Sequence, residues 1–280
     1  MPELPEVERV RQTLARVLVG QKVVHAEFVD DDIMMFGVPA DAFRAAIEGQ
    51  VVKAVHRKGK YWWIEFEDGT HLAGHLGMSG WIRELGAETI RLREHGNAPL
   101  DDEEGRPRFL KMLLTAEDGR RVAFTDGRRL GRMWLTSDPK ADVRIKKLGF
   151  DVRDELPSAQ ELQKMLSRRK APIKALLLDQ GLFAGIGNWI ADEVLYQARI
   201  SPKRLGSSLS EKEVKALHDA IVLVIKLSVD VDADKEKFPK DWLFHVRWGG
   251  KSGGETISGE QIVREPVGGR TTAWVPSRQK

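Results

Sequence analysis

Two prolines and two glutamates stand within the first six residues, MPELPE, and that spacing admits a specific chemistry. Once Met1 is trimmed, Pro2 presents a secondary amine, which can condense with a sugar aldehyde to form an imine. An α-amino group titrates near roughly 8, so a usable fraction is unprotonated at neutrality. The carboxyl of Glu3 stands next in line to move the proton. The same residues also suit a plain helix start, with Pro5 in the first turn and Glu6 and Glu8 at the positive end. Ten residues leave both readings open.

Five further stretches carry side chains suited to a polyanion. In RKGKYWW (57–63), Lys60 leads into an aromatic strand and is placed to meet a phosphate, while Trp62 or Trp63 reads as core. In HLGMSG (75–80), Gly77 and Gly80 bracket a tight turn presenting Met78, either a core methionine or an apolar wedge for a base stack. In FTDGRRLGRMW (124–134), Asp126-Gly127 signals a turn, with Arg128, Arg129 and Leu130 following on its tip. Arginine can hydrogen-bond the edge of an unpaired base, and leucine can lie beside it. GIGN (185–188) opens a helix, and glycine-rich helix starts offer N–H groups to a phosphate, with Asn188 adding a side-chain donor. GGRTTAWVPSRQK (268–280) puts Arg270 just after two glycines at the start of a strand. Singly, each of these also fits an ordinary turn, cap or solvated surface.

The elements that must hold them fall into a clear order. A helix is expected over Pro5–Leu18, ending near Gly20. Residues 21–134 read mostly as strands, at VVHAEFV, VVKAVHR, YWWIEFE, RFLKMLLTAE and RRVAFTD, with turn signals between them. Repeated short strands argue for a sandwich or barrel. The charged stretch 85–107 reads as a long loop. The texture changes around 150–158, and 158–233 reads helical, with Ser158 and Ser210 as N-caps and Glu161 and Glu213 as their capping-box partners. The last 30 residues read as a hairpin. The fold class is therefore α+β multidomain: 1–150 a β-sandwich led by a helix, 151–250 helical, 251–280 a hairpin.

Composition narrows the chemistry. The 280 residues contain no cysteine, which removes disulfides, thiol catalysis and thiolate metal sites. The seven histidines lack HExxH-type spacing, so no metal is expected. Apolar runs such as AIVLVI (220–225) are far too short to cross a bilayer, and the N-terminus lacks the build of a secretory signal. The formal charge is +3, with the basic excess in the second half: 20 Lys+Arg against 15 Asp+Glu over 158–280. That bias fits a polyanionic partner without requiring one.

In order along the chain, PELPEVE, KYWW, HLGMSG, TDGRRLG, GIGNWIADEVLYQARISP and the closing GR-TTAWVPSRQK resemble the motifs of the formamidopyrimidine-DNA glycosylase/endonuclease VIII family. The likeness runs from residue 2 to the C-terminus. It implies an N-terminal β-sandwich, a helix-two-turn-helix domain and a C-terminal finger. The activity implied is base excision from damaged double-stranded DNA, followed by β,δ-elimination at the abasic site. By the same resemblance Pro2 is the nucleophile, Glu3 the proton-transfer acid, and Glu6 a second glutamate near the site. Lys60 and Arg270 meet phosphates at the lesion and Asn188 a further phosphate, while Met78, Arg128 and Leu130 fill the void left by the flipped nucleotide. No cofactor is implied, action as a monomer is the family habit, and the location is intracellular and DNA-associated.

Two departures refine this. Typical members fold the finger around four cysteines and zinc, whereas this chain resembles the zincless finger of plant and fungal members, as does the segment DADKEKFPKDWLFHVRWGGK (232–251). That likeness implies formamidopyrimidines and guanine hydantoins as substrates, with weak action on 8-oxoguanine. Leu130 replaces the phenylalanine usual in bacterial members, which bears on opposite-base preference. Two other readings compete: an endonuclease VIII-like glycosylase for oxidised pyrimidines, and a non-catalytic damaged-DNA-binding protein. An intact Pro2, Glu3 and Lys60 argue against the second.

Overall fold

The structure, a computed structural model, describes residues 1–87, 101–249, 254–256 and 258–280. It divides into two compact units: Met1–Lys147 with Asp232–Lys235, and Leu148–Val231 with Glu236–Lys280.

The first unit opens with α1 (Leu4–Leu18), which starts one residue before the expected Pro5. Val7, Val10, Leu14 and Val17 recur every three or four residues and are all buried, so one stripe of the helix faces the core. Then follow β1 (Val23–Phe28), α2 (Ala40–Ile47), β2 (Val52–Lys58), β3 (Tyr61–Phe66), β4 (His71–His75), β5 (Trp81–Glu84), β6 (Leu110–Ala116), β7 (Arg121–Thr125), β8 (Arg132–Thr136) and the one-turn α3 (Val143–Lys146). The strands form two four-stranded antiparallel sheets, ordered β1-β6-β7-β5 and β2-β3-β4-β8. In β6, Leu110, Met112, Leu114 and Ala116 alternate inward, the period of a half-buried strand. A single apolar cluster draws on both sheets, α1 and α2, with Phe43, Trp62, Phe66 and Phe124 among its bulkiest members. The segment 232–235 belongs here through Ala233, which packs on Trp81.

Strands expected at 23–29, 51–57, 61–67, 108–117 and 120–126 are present as β1, β2, β3, β6 and β7. The helix α2 and strands β4, β5 and β8 were not foreseen. Of the expected loop 85–107, residues 88–100 lie outside the described residues.

The second unit begins with β9 (Phe150–Asp151), then α4 (Ala159–Leu166), α5 (Ile173–Leu178), β10 (Phe183–Ala184), α6 (Asn188–Ala198) and α7 (Glu211–Asp230). The short β9 and β10 pair in parallel. Both expected capping boxes form: Ser158 with Glu161 at α4, and Ser210 with Glu213 at α7. Helix α6 is buried nearly all round, including Asp192 and Glu193, so its carboxylates need partners inside the protein. An antiparallel sheet of β11 (Gly254–Glu255), β12 (Gln261–Val267) and β13 (Arg270–Trp274) closes the chain. The β12–β13 turn is Gly268-Gly269, with φ of 63° and 75°, left-handed angles that glycine adopts without strain. Among the described residues, no helix is long and apolar enough to cross a membrane.

Candidate active site

At the N-terminus, Pro2 is buried and Glu3 is 1% exposed. The main-chain N–H of Glu3 donates to Glu6 Oε2 at 3.0 Å, the capping-box bond that begins α1. Glu6 is thus a buried residue that fixes the backbone carrying Glu3. Met1 precedes Pro2 in the structure, so the Pro2 nitrogen is an amide here and becomes an amine only when Met1 is removed.

Lys60 is buried where β2 turns into β3. That turn is tied to α1: Arg57 Nε donates to Glu8 Oε2 at 3.0 Å, and Arg57 also donates to the Gly59 carbonyl at 3.2 Å. Glu8 further accepts from Arg11 and Gln12. The charge of Lys60 is felt by His75, which pairs with Tyr61 across β3 and β4. Burial, then the positive charges of Lys60 and Arg132, lower the His75 imidazole to about 4. His75 Nδ1 accepts the N–H of Gly77 at 2.9 Å, which assigns the remaining ring proton to Nε2. The ring is a neutral group beside a cation.

The HLGMSG turn and the TDGRRLG loop lie against each other. Met78 is 45% and Leu130 38% exposed, and Arg128 is exposed too. A Cβ on Gly77 would stand 2.3 Å from the Leu130 carbonyl carbon, and its φ is +63°, so only glycine lets the two backbones meet. Arg129 makes a bidentate pair with Asp31 at 2.8 and 2.9 Å. Burial would raise the Asp31 carboxyl, but hydrogen bonds from Arg129, Lys111 and the Met34 amide outweigh it and hold it well below the usual range.

In the second unit, Asn188 is the first residue of α6 and Arg270 the exposed first residue of β13. Asn188 Nδ2 donates to the carbonyl of Thr271 at 3.0 Å, so these two expected phosphate contacts come from neighbouring backbone. Behind them, Asp192 joins three segments. It pairs with the buried Lys174 of α5, accepts from Arg247 Nε at 3.2 Å, and accepts the N–H of Ala273 in β13 at 3.3 Å. Glu193 accepts from Gln197 and the Phe244 amide, and burial pushes its carboxyl up to about 7.

The finger strands contain neither Cys nor His, so they do not fit zinc. Other contacts hold the hairpin: Trp274 Nε1 donates to Glu265 at 2.8 Å, and Lys203 pairs with Glu265 at 2.7 Å while lying 5.3 Å from the Trp274 ring centroid. Among the described residues, no group of three or more His, Cys, Asp or Glu is arranged to hold a metal.

Pro2, Glu3, Glu6, Lys60, Met78, Arg128 and Leu130 all belong to the first unit, and Asn188 and Arg270 to the second. Sequence reasoning passed over His75, the Glu8–Arg57 pair, Asp31 and Asp192. His75 carried a signal as the first letter of HLGMSG, Arg57 as the first of RKGKYWW, Glu8 in the opening helix turns and Asp192 within GIGNWIADEVLYQARISP, whereas Asp31 carried none.

A buried N-terminal proline and glutamate, a helix-two-turn-helix unit and a β-hairpin finger are the parts expected of a base-excision DNA glycosylase, and comparison with known proteins agrees. Residues 1–133 match the formamidopyrimidine-DNA glycosylase N-terminal domain, and residues 148–240 match the formamidopyrimidine-DNA glycosylase H2TH domain. A formamidopyrimidine-DNA glycosylase of Arabidopsis thaliana is 39% identical over 280 residues, covering 100% of this chain and 71% of that protein. The Lactococcus lactis enzyme bound to abasic-site DNA superposes with a TM-score of 0.80 at 27% identity, over 99% of each chain. The same enzyme with FAPY-dG DNA gives 0.80 and 27%, over 99% of this chain and 100% of that one. The chain belongs to the formamidopyrimidine-DNA glycosylase family, base-excision glycosylases with AP-lyase activity.

Proposed function

We propose that this chain releases oxidised purines from damaged double-stranded DNA through a Schiff base at Pro2 and then cleaves the strand. In this reading residues 1–150 are the catalytic domain, 151–250 the DNA-binding domain with a lesion-capping loop, and 251–280 the finger. After Met1 is removed, the Pro2 lone pair attacks C1′, the bond from C1′ to the base breaks, and the base leaves with a proton. Glu3 protonates the ring oxygen as the sugar opens, leaving an iminium between Pro2 and C1′. Loss of a C2′ proton expels the 3′ phosphate, loss of the C4′ proton expels the 5′ phosphate, and hydrolysis frees Pro2. Lys60, Asn188 and Arg270 hold phosphates, and Met78, Arg128 and Leu130 fill the vacated stack, offsetting the few kcal/mol of eversion.

The observation that supports this most directly is the burial of Glu3 beside Pro2 with its N–H held by Glu6. A protein that only bound damaged DNA would have no use for a proton donor fixed next to an imine-former. Borohydride trapping on a duplex with one abasic site tests it. Wild type gives a covalent band that falls sharply in Pro2→Gly; no band from processed wild type overturns the reading.

Within the purines, we place formamidopyrimidines and guanine hydantoins ahead of 8-oxoguanine. The support is the plant- and fungal-like segment 232–251, together with the Arabidopsis relative. Single-turnover excision from matched duplexes tests the order; faster removal of 8-oxoguanine than of a hydantoin reverses it. The enzyme acts as a monomer on intracellular DNA, in the nucleus or the nucleoid according to the cell.

A further inference from the structure

Asp126 looks like half of an Asp-Gly turn, yet its side chain is fully buried. Oδ1 accepts from Ser79 Oγ at 2.7 Å and from the Arg128 N–H at 3.0 Å. Oδ2 accepts from the N–H groups of Leu130 at 2.9 Å and Gly131 at 2.7 Å. Both oxygens are filled, and all four donors are neutral. One donor comes from the turn that presents Met78, and three come from the loop that presents Arg128 and Leu130. Gly77 brings the same two segments into backbone contact, and Asp31 anchors Arg129, itself 48% exposed, beside the exposed Arg128 and Leu130.

We propose that Asp126 is a positioning residue for base eversion: its carboxylate joins the Met78 turn and the Arg128–Leu130 loop into one preorganised wedge. This rests on the void-filling role proposed above for those three side chains. A wedge works only if the loops bearing it do not yield when the stack resists. Loops ordered in advance do not have to be ordered during the encounter, the general advantage of preorganisation. The inference also predicts where Asp126 is not needed. A target already outside a stack requires no wedge, so imine formation there is independent of Asp126.

The chemistry of the variants follows from the acceptor count. Asparagine has one oxygen for four donors. Its amide can serve Ser79, whose hydroxyl turns to accept, but then the Arg128 N–H goes unmet. Alanine loses all four bonds. Ser79→Ala removes only the link between turn and loop, and it serves where Asp126→Ala does not fold.

The experiment compares wild type, Asp126→Asn, Asp126→Ala and Ser79→Ala on two substrates. One is a duplex with a formamidopyrimidine lesion and 2-aminopurine opposite it; the other is a single strand with an abasic site. On the duplex, Asp126→Asn is expected to slow single-turnover excision and the fluorescence change together, by about tenfold to a hundredfold. Asp126→Ala falls further and Ser79→Ala less. On the single strand, trapping by the folded variants stays within about twofold of wild type, a ratio that general misfolding would not preserve. Equal losses on both substrates, or wild-type excision by Asp126→Asn, would overturn the inference. Wild type that neither excises nor traps overturns the glycosylase reading and this one with it.

Discussion

The guanidinium of Arg57 donates to the carboxylate of Glu8 at 3.0 Å, and both side chains are almost wholly buried. The pair fastens the turn carrying Lys60 to the helix that Glu3 caps. Removing one member of such a buried pair typically costs about 3 kcal/mol or more, because a charge is left in a low-dielectric site. Glu8→Ala is therefore expected to lower the urea midpoint by a corresponding amount. An unchanged midpoint would show that water or another group takes over.

Glu193 makes stability depend on pH. Its carboxyl rises from 4.5 to about 7 in the folded chain, chiefly through burial. A raised carboxyl favours folding while protonated, so this contribution is complete below pH 4.5 and is lost as pH climbs through about 7. The loss amounts to about 3 kcal/mol. Melting curves at stepped pH should show that slope in wild type, and Glu193→Gln should flatten it.

His75 slopes the other way. Its folded value of about 4 lies below 6.5, so the stability it contributes is complete above pH 6.5 and fades as pH falls through about 4. The ring should stay neutral throughout the range where the enzyme works. An NMR titration of the His75 Cε1–H resonance should show no inflection between pH 5 and 8. An inflection near 6.5 would mean that neither burial nor the charges of Lys60 and Arg132 hold the ring down.

The finger should ignore chelators. Its hairpin rests on the Trp274–Glu265–Lys203 cluster and on the Asp192 bond to Ala273. EDTA is expected to leave both melting temperature and abasic-site trapping unchanged. Glu265→Ala should weaken trapping about as much as losing a surface-linked cluster allows, within about tenfold, by loosening the strand that starts at Arg270.

Much of this was legible in the sequence because local signals and fold agree. Ser158 and Ser210 cap their helices as the Ser-x-x-Glu pattern requires, and the Gly268-Gly269 turn sits where the alternating residues reverse. Other features were hidden for physical reasons. The helix α2 is a short apolar-spaced stretch between strands, and its identity comes from packing Phe43 and Ile47 into the sheet core. Arg128 and Arg129 are adjacent and chemically identical. Only a partner 98 residues away, Asp31, distinguishes the anchored arginine from its neighbour. Asp126 was read from its glycine neighbour as a turn residue, and burial is the one property a dipeptide cannot display.

A finger built on indole, carboxylate and ammonium groups also changes what oxidants can do to this enzyme. Peroxide drives thiolates toward sulfenic and sulfinic acids, but this chain has no cysteine, and its sulfur is confined to seven methionines. The hairpin therefore offers peroxide no thiolate to oxidise. The vulnerable sulfur sits at the other end of the machinery: the thioether of Met78, 45% exposed, which sulfoxidation would turn from an apolar plug into a polar one.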